Sequence, residues 1–280
     1  MSKGKYVSAT DKVRIKAMHA KQKPGGASAP DVTKQLELPV SPQTVSRFLK
    51  NEGASYSSFK ATAPLTGVHK AARIRFAQHH LENHTDFSRW ILSDEKRFSL
   101  DGPDGVFYAW HMPSQLQQLR SKRSFQGGSI MVWGAIRADH TVALTEVTVR
   151  MNSTVYQEVL SGHLLPYLEA SGDENLIFQQ DNAPCHASRS TVSWFQGQGV
   201  ASTDWPSLSP DLNPTENIWG YLVKCLYGPR KPIIQSKEHL RPRIYAAWES
   251  MPAAAIRNCT ESVPRRLSQV LLKQGAKTDY

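Results

Sequence analysis

Two aspartates follow the most apolar runs of this 280-residue chain. Asp94 closes Trp90-Ile91-Leu92-Ser93-Asp94, and Asp181 closes Leu176-Ile177-Phe178-Gln179-Gln180-Asp181. Such runs read as strands inside a covered sheet, and ligands of α/β sheets gather beyond the strands' carboxyl ends. Asp is also common in turns, and Asn182-Ala183-Pro184 is itself a turn signal, so neither aspartate is decisive alone. A third carboxylate, Glu216, lies in LSPDLNPTENIWGYL, residues 208–222. There Asn213 suits the N-cap, Pro214 the first helical position and Glu216 the capping-box position. The expected buried stripe of that helix is Ile218, Leu222, Cys225 and Leu226, which turns Glu216 away from the core. Gly220, one turn on, leaves space beside the glutamate, which a pure cap does not need. The chemistry that uses three carboxylates is phosphodiester cleavage and transfer with two divalent cations roughly 4 Å apart, one at the attacking oxygen and one at the leaving oxygen. Shared carboxylate ligands offset the repulsion between the two cations.

The surrounding elements must bring these residues together. RWILSD and KRFSLDG read as two consecutive strands around Asp94. SIMVWGAI and TVALTEVTV are β-rich runs joined by the turn RADH. NSTVYQEVLSGHLLPYLEA is a capped helix beginning at Asn152 or Ser153, NLIFQQD a buried strand, and a further helix is expected near 188–197. Strands first and alternating elements afterwards imply a mixed α/β sheet with helices on its faces.

Upstream, the pattern is helical and basic. Residues 1–90 hold 15 Lys and Arg against 6 Asp and Glu, whereas residues 91–280 hold 19 against 18. One third of the chain therefore carries nearly all of the +10 net charge, a footprint for a polyanion. TDKVRIKAMHAKQ puts Val13, Ala17 and Ala20 near one face, and APDVTKQLE turns Val32 and Leu36 inward. In SPQTVSRFLKNEG, Ser41 caps, Pro42 opens, Val45, Phe48 and Leu49 form the stripe, and Gly53 stops the helix. Three short helices with a tight connection before the third match a helix-turn-helix, although a small bundle with a basic face would give the same pattern. In the first reading Gln43, Ser46, Arg47 and Lys50 lie off the stripe and face the major groove or its phosphates. The expected organisation is a DNA-binding domain over 1–53, a linker and connector helix over 54–80, and a large domain over 81–280. The connector is ASYSSFKATAPLT followed by the basic helix GVHKAARIRFAQHH.

ILSDEKRFSLDGPDG, GGSIMVWGAI, FQQDNAPCHAS and WPSLSPDLNPTENIWGYL together resemble the catalytic domain of Tc/mariner-superfamily transposases, the nematode-transposon branch in particular. The 34 residues between Asp181 and Glu216 match that branch's spacing, and the likeness covers nearly the whole chain. It implies a ribonuclease-H-like α/β fold, a mixed sheet flanked by helices and preceded by a small all-α helix-turn-helix domain. It makes Asp94, Asp181 and Glu216 a triad for two Mg2+ or Mn2+ ions, with Asn182 and His186 supporting the second aspartate or contacting substrate. It further implies cut-and-paste transposition, in which double-stranded DNA is cut at terminal inverted repeats and joined to target DNA at TA sites by a homodimer in the nucleus. A bacterial cytoplasm or nucleoid is the alternative location. TA steps deform readily, which gives that target choice a physical basis.

One departure stands out. Family members usually carry two helix-turn-helix units, and this chain has room for the second alone. The Gly-Arg-Pro-Arg hook between the units has no counterpart beyond GPRKP at 228–232, in the wrong place. A transposase-derived DNA-binding protein without catalysis is therefore the second reading, and a nuclease that cuts without joining the third. Other classes are disfavoured. No apolar run approaches the roughly 20 residues of a membrane span. The start MSKGKYVSAT lacks a signal-peptide core, implying an intracellular protein. The three scattered cysteines, Cys185, Cys225 and Cys259, form neither a disulfide framework nor a zinc spacing.

Overall fold

The computed structural model describes residues 6–21, 29–52, 64–100, 102, 128–227 and 234–280. It resolves into two compact units, residues 1–64 and 65–280. The smaller contains α1 (Ala9–Lys21), α2 (Ala29–Gln35) and α3 (Pro42–Asn51). Its core joins Val7, Ile15, Val32, Leu38, Val40, Val45 and Phe48. Ser41 caps α3 by accepting the Thr44 N–H, and Pro42 opens it. Val13, expected to face inward, is 67% exposed, and Ile15 is buried instead. Ile15 packs in one cluster with Val32 of α2 and Val45 and Phe48 of α3, and this tertiary contact sets the buried face. The side chains of Ala17 and Ala20, Gly53, most of the linker and GPRKP lie outside the described residues.

The larger unit begins with α4 (Gly67–Glu82), capped by Thr66. β1 (Trp90–Ser99), β2 (Ser129–Arg137) and β3 (His140–Val147) follow, then α5 (Ser153–Ser171), β4 (Ile177–Gln179), α6 (Arg189–Gln198) and α7 (Thr215–Tyr227). α8 (Lys237–Glu249), α9 (Ala253–Thr260) and α10 (Val263–Leu272) complete it. The described strands form one sheet ordered β3-β2-β1-β4, with β1 antiparallel to β2 and parallel to β4. Asn152 caps α5 through the Val155 N–H.

The two strands expected around Asp94 are one. β1 pairs with β2 without a break from Ile91 to Ser99, and Asp94 lies opposite Gly134 in mid-strand. Continuous partners on β2 satisfy the backbone through the polar stretch Asp94-Glu95-Lys96-Arg97, so no turn is needed there. Alternate residues of β1 face opposite layers. Trp90, Leu92 and Phe98 pack with Trp219, Leu222, Trp248 and Leu267, whereas Ile91 packs with Tyr156, Leu160 and Phe195. Both faces are thus covered, as the apolar strands require.

Candidate active site

β4 pairs with β1 only over three positions, the last being Leu92 with Gln179. Asp94 and Asp181 each stand two residues further on, where the two strands part. The split is held by side chains rather than a ladder: Ser93 Oγ donates to the Gln179 carbonyl at 2.8 Å, and the Ser93 N–H donates to Gln179 Oε1 at 3.2 Å. A gap beside a strand's carboxyl end, bounded by two aspartates, is the crevice in which such sheets take ligands.

α7 is docked to the same point. Asn213 accepts the Thr215 N–H at 3.0 Å, the expected N-cap, and its Nδ2 donates to the Ser93 carbonyl at 2.9 Å. The Thr215 hydroxyl reaches the Leu92 carbonyl at 3.3 Å. The helix start is therefore pinned to the β1 residues just ahead of Asp94. A capping box would need Glu216 to accept the Asn213 N–H, but that N–H donates to the Pro210 carbonyl. Glu216 is exposed and makes no side-chain hydrogen bond among the described residues. It is not the cap's partner, and nothing lies within 4 Å of where a Cβ on Gly220 would stand. The buried stripe of α7 includes Trp219 beside Ile218, Leu222 and Leu226, with Cys225 half-buried.

Electrostatics ties Asp94 to Glu216. Burial pushes the Asp94 carboxyl well above its ordinary range, and the negative charges of Glu216 and Glu95 push it further. The opposing pull is the Trp219 indole, which donates to Asp94 Oδ2 at 2.9 Å. Among the described residues no Lys, Arg or His forms an ion pair with Asp94 or Glu216. Asp94 and Glu216, two hard oxygen donors without a cationic partner, are of the kind that a divalent cation takes. No three His, Cys, Asp or Glu side chains among the described residues close on one point as a finished cage.

Asp181 is held differently. Its Oδ1 accepts His186 Nδ1 at 2.7 Å and the Ala183 N–H at 2.9 Å. Burial raises the carboxyl, but these donors outweigh it and hold Asp181 below its ordinary range. Burial lowers the His186 pKa, yet Asp181 and Glu95 lift it to about 10. Among the described residues the Asn182 side chain makes no hydrogen bond to Asp181. Its Nδ2 donates to the Trp205 carbonyl and the Ser207 hydroxyl, anchoring the segment that leads to α7. Asn182 also lines a cleft of about 620 Å³ with Arg75, His79 and Trp205. Gln43, Arg47 and Lys50 are exposed on α3, and Ser46 is half-buried. Glu95 and Trp219 escaped the sequence reading; Trp219's place three residues after Glu216 was the one available signal.

A mixed sheet covered by helices, with acidic side chains where β1 and β4 part, defines the ribonuclease-H-like class of acidic-residue polynucleotidyl transferases. Residues 89–241 match the family model of the DDE superfamily endonucleases, and residues 12–82 match a transposase model. The Tc3 transposase of Caenorhabditis elegans is 37% identical over 256 residues, covering 90% of this chain and 76% of that protein. The Tcb1 transposase of Caenorhabditis briggsae is 32% identical, covering 89% and 92%. The chain belongs to the Tc1/mariner family of transposases, DNA-cleaving and strand-transferring enzymes. The fold agrees: a Mos1 transposase paired-end complex with the left transposon end superposes at a TM-score of 0.74 with 18% identity, over 99% of this chain and 82% of that one. A Mos1 paired-end complex with Mg gives 0.75.

Proposed function

We propose that this chain itself performs cut-and-paste transposition, using Asp94, Asp181 and Glu216 to hold two Mg2+ or Mn2+ ions. The observation that carries the reading is the docking of the start of α7, which bears Glu216, onto β1 just ahead of Asp94, where β1 and β4 part. When bound, the cations supply Lewis acidity at the scissile phosphodiester. The protein's part is positional. Asn213 and Thr215 fix the start of α7 against β1, and Trp219 restrains one oxygen of Asp94. Arg75 and Asn182, at the cleft beside Asp181, suit a DNA strand's backbone. Cationic side chains and amides are the usual phosphate partners.

In this reading α3 enters the major groove of the terminal inverted repeats. Gln43 and Ser46 reach base edges, while Arg47 and Lys50 meet phosphates. A homodimer brings two ends together and joins them to target DNA at TA sites, in the nucleus. That the relatives are transposases of nematodes supports the location. No helix among the described residues is long and apolar enough to cross a membrane.

The test supplies DNA carrying the matching terminal repeat, with Mg2+ or Mn2+. Nicking by the natural chain and none by Asp181→Ala, together with joining of a pre-cut 3′-hydroxyl end to a target plasmid, is the expected result. Binding without metal-dependent cleavage would assign the chain to non-catalytic DNA binding. Cleavage without joining would make it a nuclease.

A further inference from the structure

Consecutive residues of a strand face opposite layers, so Asp94 and Glu95 serve different neighbourhoods. Asp94 meets Trp219 of α7. Glu95 instead meets His186, its Oε1 lying 3.4 Å from the ring's Nε2. Both atoms are buried, and among the described residues neither makes a hydrogen bond, so their contact is an ion-pair approach. The other ring nitrogen, Nδ1, contacts Asp181 at 2.7 Å. The imidazole, 2% exposed, is wedged between the carboxylates of Glu95, on β1, and Asp181, on the loop after β4.

The ring has little freedom. The Tyr156 ring lies against it, centroids 4.0 Å apart at 32°. Tyr156 donates its hydroxyl to Gln180 Oε1 at 2.7 Å, next to Asp181. The His186 N–H donates to the Ala183 carbonyl, and the neighbouring Cys185 carbonyl accepts the Thr191 hydroxyl at 2.7 Å.

We propose that Glu95 is a positioning residue which, through His186 packed on Tyr156, fixes the Asp181 carboxylate by its Oδ1 and leaves Oδ2 for the metal. The inference rests on the reading of Asp181 as a metal ligand. Outer partners of this kind fix a ligating group's orientation, and their loss typically weakens metal binding 10- to 100-fold. Glu95 thereby couples β1 to the Asp181 loop beyond the last pair of β1 with β4.

The test measures Mn2+ affinity of the full chain by the electron paramagnetic resonance signal of free Mn2+, with thermal unfolding followed in parallel. Asp181→Ala is expected to lose most of the binding. Glu95→Ala should weaken it about tenfold, and Glu95→Gln, which keeps an acceptor for Nε2–H, should recover most of that loss. His186→Asn keeps an N–H near the Nδ1 position and should bind more tightly than His186→Ala. A purely structural role for the ring would not distinguish these pairs. If Asp181→Ala loses binding while Glu95→Ala and His186→Ala match the natural chain, the clamp is overturned and the site reading stands. If Asp181→Ala binds as tightly as the natural chain, both fall. Should Glu95→Ala unfold at the assay temperature, Glu95→Asp, which draws the carboxylate back from Nε2, decides: weakened Mn2+ binding by the folded chain supports the clamp, and natural affinity overturns it.

Discussion

Asp94 carries two opposed influences, and each can be removed separately. Glu216 and Glu95 repel its charge, while the Trp219 indole donates to it at 2.9 Å. Without a cation, Asp94→Asn removes a charge that the fold resists. In a chelator this variant should melt at a higher temperature than the natural chain. In excess Mg2+ the order should reverse, because a ligand that binds only the folded state stabilises it by mass action. Calorimetry of the two proteins under both conditions gives the comparison. Trp219→Phe addresses the other influence. It keeps the stacked contact with Trp248, at 5.6 Å between centroids, and deletes the N–H. A hydrogen bond to a charged group contributes about 1.5–3 kcal/mol. Burial disfavours the Asp94 charge in metal-free buffer, so a smaller loss of about 1 kcal/mol is expected from urea titration. Metal-dependent nicking should fall about tenfold as Asp94 loses its fixed orientation.

The elements were readable where local chemistry sets them. Ser41, Asn152 and Asn213 cap the helices that their sequence positions announce, and the apolar runs around Ile91 and Phe178 form strands. The continuity of β1 was not readable, because it depends on β2 supplying partners to a charged stretch from more than thirty residues away. The same holds for Glu95, whose contact with His186 exists only once the loop ahead of α6 reaches β1, and for Ile15, whose burial follows from packing against α2 and α3. Gly134 shows how tightly that tertiary context is drawn. It faces Asp94 across β1 and β2, and a Cβ there would lie 2.7 Å from Trp219 Cη2 and 3.1 Å from Trp248 Cη2. Both are edges of indoles in a packed core, with little room to retreat. Gly134→Ala should cost about 1–3 kcal/mol, the usual range for overpacking. The urea midpoint gives that value, and nicking should fall with it, since the displaced ring is the one that restrains Asp94.

Across the larger unit, one buried ion pair joins segments far apart in the chain. Arg73 of α4, fully buried, reaches both oxygens of Asp211 at 2.9 and 2.7 Å and donates to the Gly275 carbonyl. The Thr278 N–H donates to Asp211 as well, and Arg266 of α10 bridges the Asp211 carbonyl and Asn217, next to Glu216. The approach to α7 and the last residues of the chain are thus fastened to α4 around one carboxylate. Burial raises the Asp211 pKa, but Arg73 and Thr278 more than offset it and hold the carboxyl below its ordinary range. A group whose folded pKa is depressed contributes stability above its unfolded value, about 3.9, and loses it as the pH falls through the folded value. Breaking a buried pair by removing one charge costs about 3–5 kcal/mol. Asp211→Asn should therefore be less stable than the natural chain by about that amount at pH 7, as judged by urea unfolding. The gap should stay constant down to pH 5 and narrow below pH 4, as the natural carboxylate takes up its proton and the two proteins converge in charge. A gap that persisted unchanged at pH 3 would mean that Asp211 acts through shape and neutral hydrogen bonds rather than through its charge.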